Sequence, residues 1–507
     1  MDHRWRNLRQ GLIKLHEDDH HVPSSQQTIG DEKTKIFVDE YAAAAINRVV
    51  TCLCVSSLGH NLDAWPRFFY SLDTHVNAVL KYDRPKLNPP TDEAWLKVTH
   101  HCRLSPLIVG LCLREWVKSE HFLTGRDIDN VQWVRSSAAG YGYRGLKGQG
   151  ESFSLARNKA LTIVETLSCD QDYARRALED STPDMAFSRA QLSQMKVKRK
   201  VKPVWGEAFH YALLEGLFAD PLIRHFLQTN DVQDSFYCIG HMPLLSPPGS
   251  VSSKLHDHDY VYMLDWTDFE ASVQEWEIRF AFELLETLLI FPSHVDFHIW
   301  RFIVELFIYR KIVTPNGDVY LKTQGIPFGS CFTTIIGSIT NYVRVQYLFM
   351  RSSGSLATVF TYGDDSLIGV KDEQYTSFPM DNFNPICDEF SWRIGVFKSS
   401  YEDHINSFLL MNVERRQRDR DVLACLRMLM FPEYEVESGE ISVKRARSIW
   451  VDSRISPGMY SGIRPDYLFE IYKSLKIRYG SSNAGHVHIE DGGGGRASMV
   501  RTEKHLV

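Results

Sequence analysis

Two adjacent aspartates, Asp364 and Asp365, follow Gly363 between the apolar segments 356–362 and 366–370. Both segments are rich in β-forming residues, and the Gly-Asp-Asp joint predicts a β-hairpin with its carboxylates at the tip. Adjacent carboxylates repel each other, and a bound cation reduces that repulsion. A solvated β-turn explains the same three residues when they stand alone, because Asp and Gly are common in turns.

A second acidic cluster lies in the segment DWTDFE, residues 265–270. Asp265 ends an alternating, strand-like segment that starts at residue 259, and Glu270 follows where a helix begins. A glutamate there also suits a helix N-terminus, where negative charge complements the dipole. Two strands that each end in a carboxylate can meet in one sheet and hold hard divalent cations. Two Mg²⁺ or Mn²⁺ ions about 4 Å apart would then clamp the oxygens of a phosphoryl transfer.

The segment 194–205 is strongly basic in a chain whose formal net charge is −6. It contains Arg199 and four lysines at alternate positions, Lys196, Lys198, Lys200 and Lys202. In an extended strand these lysines share one face, which favours contact with a triphosphate or a phosphate backbone. A solvated charged strand and a localisation signal are the alternatives.

Residues 136–148 contain the pattern GxGxxG at Gly140, Gly142 and Gly145. No clear apolar strand precedes it and no βαβ unit frames it, so a dinucleotide site is not expected. Lys147 comes one place too late for a phosphate-binding loop of the GxxxxGK type. The loop's tyrosine and basic side chains suit a nucleic-acid backbone and its bases, and an ordinary flexible loop is the alternative.

The composition is that of a soluble globular protein, and 507 residues suggest about three domains or subdomains. The nine cysteines are scattered, with no CxxC pair, so reduced thiols are expected. The charged N-terminus is not a signal peptide, and no apolar run of about 18 residues occurs, so we expect an intracellular protein without a membrane span. Helices are expected over 273–291 and 331–349, which indicates an α+β fold.

Four motifs in a fixed order, KPVW, DWTDFE, GIPFGSCFTTIIGSITN and TYGDDSLI, resemble the RNA-dependent RNA polymerases of double-stranded RNA viruses. The resemblance spans about 135–415 and is greatest to the partitivirus group, whose fingers motif is similar to residues 200–222. It implies an α+β right-hand fold with an antiparallel palm sheet and helix-rich fingers and thumb. The implied parts are a segment bridging fingers and thumb (1–90), fingers (91–258), palm (259–310), a fingers–palm connection (311–322), further palm (323–415), thumb (416–480) and a flexible tail (481–507).

The resemblance also assigns roles to single residues. Asp265 and Asp364 would ligate Mg²⁺ or Mn²⁺, with Asp365 a weaker ligand, and Lys398 would protonate the departing pyrophosphate. An ordinary surface lysine is the alternative for Lys398. The remaining residues would bind NTP (Lys198, Arg199, Lys200, Lys202, Glu270, Thr333 and Asn341) or template (Ser136, Ser137, Gly140, Tyr141, Gly329 and Ser330).

Three departures from the family pattern carry consequences. Glu270 replaces an aspartate common among relatives, so looser sugar discrimination is expected, and Phe328 replaces a serine before Gly329, which removes a serine-based contact to the template base. Thr333 and Asn341 stand eight residues apart, about 12 Å along a helix, so they cannot both contact one ribose. The family pattern favours Asn341.

The expected activity is template-directed RNA synthesis by two-metal nucleotidyl transfer, which replicates and transcribes a double-stranded RNA genome. The expected partners are single-stranded RNA template, double-stranded RNA product, NTPs and a viral capsid protein, inside a virion in the host cytoplasm. A reverse transcriptase is the nearest rival, although Gly363 stands where that group usually has another residue. A catalytically inactive RNA-packaging protein is the rival from another class, and the intact aspartates disfavour it.

Overall fold

The structure is a computed structural model. This structure describes residues 10–17, 38–52, 72–104, 125–190, 201–228, 255, 258–371, 379–395, 400–402, 407–408, 411–414, 417–419, 422–432, 436–452 and 467–480. The expected tail, 481–507, lies outside these residues. Among the helices that they form, none has the length and apolar character needed to cross a bilayer.

Helices make up most of the described structure. Thirteen are labelled here: α1 (Glu40–Cys52), α2 (Leu72–Leu80), α3 (Glu93–Leu104), α4 (Ser152–Cys169), α5 (Phe209–Gln228), α6 (Phe269–Ser272), α7 (Glu275–Leu288), α8 (His294–Ile308), α9 (Thr333–Ser353), α10 (Pro379–Glu389), α11 (Val422–Met430), α12 (Gly439–Asp452) and α13 (Tyr467–Tyr479). Helices α7 and α9 confirm the two helices expected from apolar spacing. A 3₁₀ turn (Gly125–Asn130) and a short helical segment (Tyr173–Asp180) complete the set.

The strands within the described residues form three sheets. They are β1 (Leu12–Glu17), β2 (Asp184–Ala190), β3 (Val201–Gly206), β4 (Tyr260–Leu264), β5 (Arg310–Val313), β6 (Asp318–Lys322), β7 (Thr358–Tyr362), β8 (Asp365–Val370), β9 (Ser400–Glu402), β10 (Ser407–Phe408), β11 (Met411–Glu414) and β12 (Gln417–Asp419). The sheet orders are β7-β8-β4-β9, β1-β6-β5-β2-β3 and β10-β11-β12.

The four-stranded sheet β7-β8-β4-β9 is antiparallel throughout. Strands β7 and β8 pair as a hairpin around Gly363 and Asp364, which confirms the predicted turn. Strand β4 confirms the strand expected to start at residue 259, but its burial does not alternate, because four successive residues, 261–264, are all buried. Successive side chains point to opposite faces of a sheet, so both faces of this central strand are covered.

The five-stranded sheet joins segments that are far apart in sequence. Strand β1, near the N-terminus, pairs with β6, and β5 joins β6 to β2 and β3. This sheet therefore joins three parts of the chain. They are the N-terminal segment expected to bridge fingers and thumb, the expected fingers–palm connection (311–322), and strand β3, which follows the basic segment.

A separate apolar core forms between α1 and the C-terminal helices α11 to α13. The Asp39 carboxylate lies at this junction, accepting a hydrogen bond from Ser442 and pairing with Arg445. The N-terminal part of the chain thus contacts both the five-stranded sheet and the C-terminal helices. These contacts agree with a bridging segment, and the individual domain boundaries stay predictions.

A buried ion pair fixes helix α9 against the segment that follows β4. The guanidinium of Arg344 pairs with both carboxylate oxygens of Glu277, at 2.6 and 2.8 Å, and donates to Ser272. It also lies 5.5 Å from the ring of Trp266 and 4.8 Å from that of Trp392. Removing one member of a buried pair leaves an uncompensated charge in the interior.

Arg344→Met is therefore expected to lower the free energy of unfolding by about 3–5 kcal/mol. The matched control is Arg351→Met on the same helix, which breaks a partly exposed pair with Glu389 and is expected to cost about 1 kcal/mol or less. Urea denaturation followed by circular dichroism measures both. Equal losses in the two variants would show that the buried pair contributes no more than the surface pair.

Candidate active site at the acidic strand ends

The register of the four-stranded sheet brings its acidic residues to one end. Leu264 pairs with Ser366 across β4 and β8, so Asp265, the next residue, lies opposite Asp365. Neighbouring strands are about 4.8 Å apart. Asp364 occupies the adjoining turn, which Gly363 enters with φ +59°, a left-handed conformation that glycine adopts without strain. All three aspartates are partly exposed at the end of buried strands.

One amide side chain connects the two acidic strand ends. Asn341, on α9 and fully buried, donates to the backbone oxygens of Gly363 and Asp365, at 3.0 and 3.2 Å. Its own oxygen accepts a 2.7 Å hydrogen bond from the indole of Trp266, the residue after Asp265. The observed role of Asn341 is therefore to clamp the strand ends, and its expected contact with a ribose stays a prediction.

The segment that leads to Lys398 runs beside Asp265. Ile394 forms a bridge with Trp266, and the amide of Gly395 donates to the backbone oxygen of Asp265 at 2.7 Å. A side chain at position 395 would place its Cβ 3.0 Å from the Asp265 carboxylate. Lys398 itself lies outside the described residues, so its proposed general-acid role stays a prediction.

Helix α6 carries Glu270 between the acidic strand ends and the next loop. The backbone oxygen of Glu270 accepts a 2.8 Å hydrogen bond from Ile326. Just before the helix, Asp268 adopts a left-handed conformation (φ 52°) and pairs with Lys81 and Arg84, at 2.6 and 3.5 Å. Neither basic residue can be predicted from the sequence as a partner of Asp268, because no local pattern relates it to a carboxylate almost 190 positions later.

Tyr82 is a further residue that the sequence analysis missed. It is buried, donates from its hydroxyl to the backbone oxygen of Ile326 at 2.8 Å, and packs edge-on against Trp205. Burial, followed by the nearby charge of Glu270, raises the pKa of the Tyr82 hydroxyl well above its usual value. The hydroxyl therefore stays protonated and acts as a hydrogen-bond donor.

The loop 327–331 is called the template loop here because it carries two residues predicted to bind template, Gly329 and Ser330, and it packs against strand β3. The Trp205 amide donates to the Phe328 oxygen at 2.7 Å. Gly329 has φ +140°, and a Cβ there would lie 2.3 Å from the Trp205 oxygen, so only glycine fits. The Thr333 hydroxyl donates to the Pro327 oxygen at 2.7 Å and accepts from the Gly329 amide at 3.3 Å. The observed role of Thr333 is to support this loop.

Ser330 occupies a different environment from the one expected of a template-binding residue. Its side chain is buried, and its hydroxyl donates to Glu215 at 2.7 Å. Because the Ser330 hydroxyl is hydrogen-bonded to a buried carboxylate, it anchors the template loop on its buried side. Direct template contact through Ser330 stays a prediction, as does that through Gly329.

The glycine loop 136–148 is held against the start of α5. Ala138 bridges Leu146, and the Phe209 amide donates to Ala139 at 3.0 Å. Gly140 has φ +82°, and a Cβ there would meet the Glu207 oxygen at 2.5 Å. The 3₁₀ turn Gly125–Asn130 precedes the loop.

The expected template-binding side chains of the glycine loop differ in exposure. Ser136 is exposed and Tyr141 partly exposed, whereas the Ser137 hydroxyl donates to the Val134 oxygen at 2.8 Å. Of the basic segment, residues 194–200 lie outside the described part of the chain, as does the Lys202 side chain. Strand β3 starts immediately after Lys200, so the basic segment continues into the strand that carries Trp205. Trp205 in turn contacts the template loop.

The acidic strand ends offer an open set of oxygen donors to a divalent cation. Within the described residues, no three His, Cys, Asp or Glu side chains converge to form a complete metal site. Mg²⁺ is commonly held by one or two carboxylates, while waters and substrate phosphates complete its shell. Partly exposed aspartates at neighbouring strand ends fit that open kind of site, and they do not fit a closed cage.

An antiparallel sheet with acidic strand ends, together with a glycine-containing loop held against strand β3, is typical of right-hand polynucleotide polymerases. Residues 39–474 match the model of the family described as viral RNA-dependent RNA polymerase. This chain belongs to that family. Over 93% of its length, it also matches the crystal structure of the RNA-dependent RNA polymerase of a human picobirnavirus (92% of that chain, TM-score 0.61, 13% identity). The match confirms the expected right-hand α+β fold.

Curated relatives match over shorter stretches. An RNA-directed RNA polymerase of Cryptosporidium parvum virus 1 is 32% identical over 111 residues, which is 21% of each chain. A genome polyprotein of simian hepatitis A virus is 28% identical over 165 residues, 31% of this chain and 7% of the polyprotein. The matched stretches thus cover about a fifth or less of these relatives.

Asn341→Ala is expected to weaken Mn²⁺ binding about tenfold, because loss of a residue that orients metal ligands typically costs 10- to 100-fold in affinity. Electron paramagnetic resonance of the free ion measures this binding. The matched control is Gln346→Ala. Gln346 also lies on α9, and its side-chain amide forms two similar hydrogen bonds with the backbone of Ala357, next to the end of β7 opposite the aspartates. Unchanged Mn²⁺ affinity in Asn341→Ala, with altered selection of NTP over dNTP, would favour the ribose contact over the clamp.

Proposed function

We propose that this chain is an RNA-directed RNA polymerase that replicates and transcribes the genome of a double-stranded RNA virus of partitivirus type. The observation that carries the proposal is the register that sets Asp265 opposite Asp365 and beside the Asp364 turn. Family membership and the right-hand fold support it. The 3′-hydroxyl of the growing RNA would attack the α-phosphorus of an NTP and release pyrophosphate.

The proposed cofactor is a pair of Mg²⁺ or Mn²⁺ ions, held by Asp265 and Asp364 with Asp365 as the weaker ligand. When bound, such ions lower the pKa of the attacking hydroxyl and neutralise charge on the phosphate oxygens. The chain's own contribution is to fix the carboxylates, and Asn341 and the Gly395 amide do this through the strand ends. Positioning and charge neutralisation dominate phosphoryl transfer.

The proposed substrates are a single-stranded RNA template and NTPs, and the proposed product is double-stranded RNA. Lys198, Arg199, Lys200 and Lys202 are proposed to hold the triphosphate, and the glycine loop and the template loop are proposed to guide the template. A viral capsid protein is the proposed partner, inside a virion in the host cytoplasm. The similar polymerases of a picobirnavirus and of Cryptosporidium parvum virus 1 support the RNA substrate.

Asp265→Asn and Asp364→Asn are each expected to reduce nucleotide incorporation at least about a thousandfold, because a neutral amide is a poor ligand for a hard cation. Unprimed incorporation of labelled NTP on single-stranded RNA measures this. Asp388→Asn, which changes an exposed carboxylate on α10, is the matched control and should retain activity. Incorporation by either active-site variant at the wild-type rate would refute the assignment.

A primed version of this assay, run with NTPs or with dNTPs, separates two rivals. A reverse transcriptase would extend a primer on RNA with dNTPs in preference to NTPs, whereas the proposed enzyme prefers NTPs. An inactive RNA-packaging protein would bind RNA and show no Mg²⁺-dependent incorporation with either nucleotide.

A further inference from the structure

A cluster of buried charged residues contacts the template loop, and none of its members is among the predicted site residues. Arg310, on β5, is 1% exposed, and three buried carboxylates surround it. Its guanidinium lies 2.8 Å from Glu215, 3.1 Å from Glu207 and 3.4 Å from Asp184. A buried charge is tolerated only when it is paired and hydrogen-bonded, so this cluster has a specific arrangement.

Glu215 differs from the other two carboxylates because both of its oxygens are engaged. One oxygen accepts from Arg310 at 2.8 Å. The other accepts from the Ser330 hydroxyl at 2.7 Å and from the Cys331 amide at 2.8 Å. Glu215, on α5 and fully buried, therefore joins the Arg310 strand to the template loop.

The other two carboxylates beside Arg310 are less favourably placed. Burial, followed by the neighbouring Glu215 carboxylate, raises the pKa of Glu207 well above its usual value. Burial also raises the pKa of Asp184 to about 6, against the opposing effect of Arg310. Oδ1 of Asp184 has no hydrogen-bond partner, and Oε1 of Glu207 lies 3.1 Å from Arg310 without forming a hydrogen bond. Glu215 is thus the carboxylate beside Arg310 whose oxygens have the most hydrogen bonds.

We propose that Glu215 is a positioning residue that sets the template loop relative to strand β3. The loop is held on one side by the Trp205 amide and on the other by Glu215. The effect on template rests on the proposed function, because it requires that this loop contacts the RNA. The position of the loop itself does not depend on that function.

Glu215→Gln and Ser330→Ala test the proposal together. Glutamine has a single acceptor oxygen, so it can satisfy Arg310 or the loop but not both. Each variant is expected to speed hydrogen exchange in the peptide 327–333 and to weaken binding of a labelled single-stranded RNA about tenfold, as for one charge-assisted hydrogen bond. In the double variant the two losses should not add, because both act through one contact.

The matched control is Asp220→Asn, since Asp220 lies on the same helix and accepts from the Gln132 amide, away from the template loop. It is expected to leave both readouts unchanged. Wild-type exchange in 327–333 for both variants, or additive losses in the double variant, would overturn the inference. Wild-type protein that incorporates no nucleotide, combined with faster exchange in the two variants, would instead refute only the proposed function.

Discussion

Carboxylates of like charge repel one another, and this chain holds three of them at the end of one buried sheet. Asp265 and Asp365 lie opposite each other because the register of β4 and β8 leaves no alternative. A one-residue slip would exchange the two faces of β4, and because both faces are packed against neighbours, every buried side chain would then meet the wrong partners. Asn341 completes the constraint, because its amide ties the backbone of the β7–β8 hairpin and the indole of Trp266, the residue after Asp265, to α9.

The rest of the site is assembled from segments that surround this end of the sheet. Tyr82 and the Asp268 pairs bring the N-terminal part of the chain to the loop after β4. Strand β3 supports the template loop through Trp205, and Glu215 supports it from α5. The template loop is held by a backbone hydrogen bond to Trp205 and by hydrogen bonds to the buried Glu215 carboxylate. Such fully satisfied buried contacts restrict the loop to one position. Rigid supports of this kind suit a reaction in which positioning dominates.

The sequence predicted the elements with strong local patterns. The turn at Gly363, helix α7 and helix α9 follow from residue type and apolar spacing, and the order of the motifs indicated the family. It did not predict the partners of buried polar residues such as Glu215, Arg310 and Asn341, because these pair with residues distant in sequence. For the same reason Ser330 and Thr333, expected at the surface of the site, were found supporting the loop. The alternation assigned to β4 failed because tertiary packing covers both of its faces.

The central claim is that Asp265 and Asp364, from two separate segments, share bound cations at the sheet end. Anomalous X-ray diffraction from crystals of the protein grown with Mn²⁺ and an NTP tests it most directly. The expected result is Mn²⁺ density within about 2.5 Å of carboxylate oxygens from both residues, as oxygen ligands require. Mn²⁺ density bound to only one of these residues, or located elsewhere in the molecule, would contradict the claim.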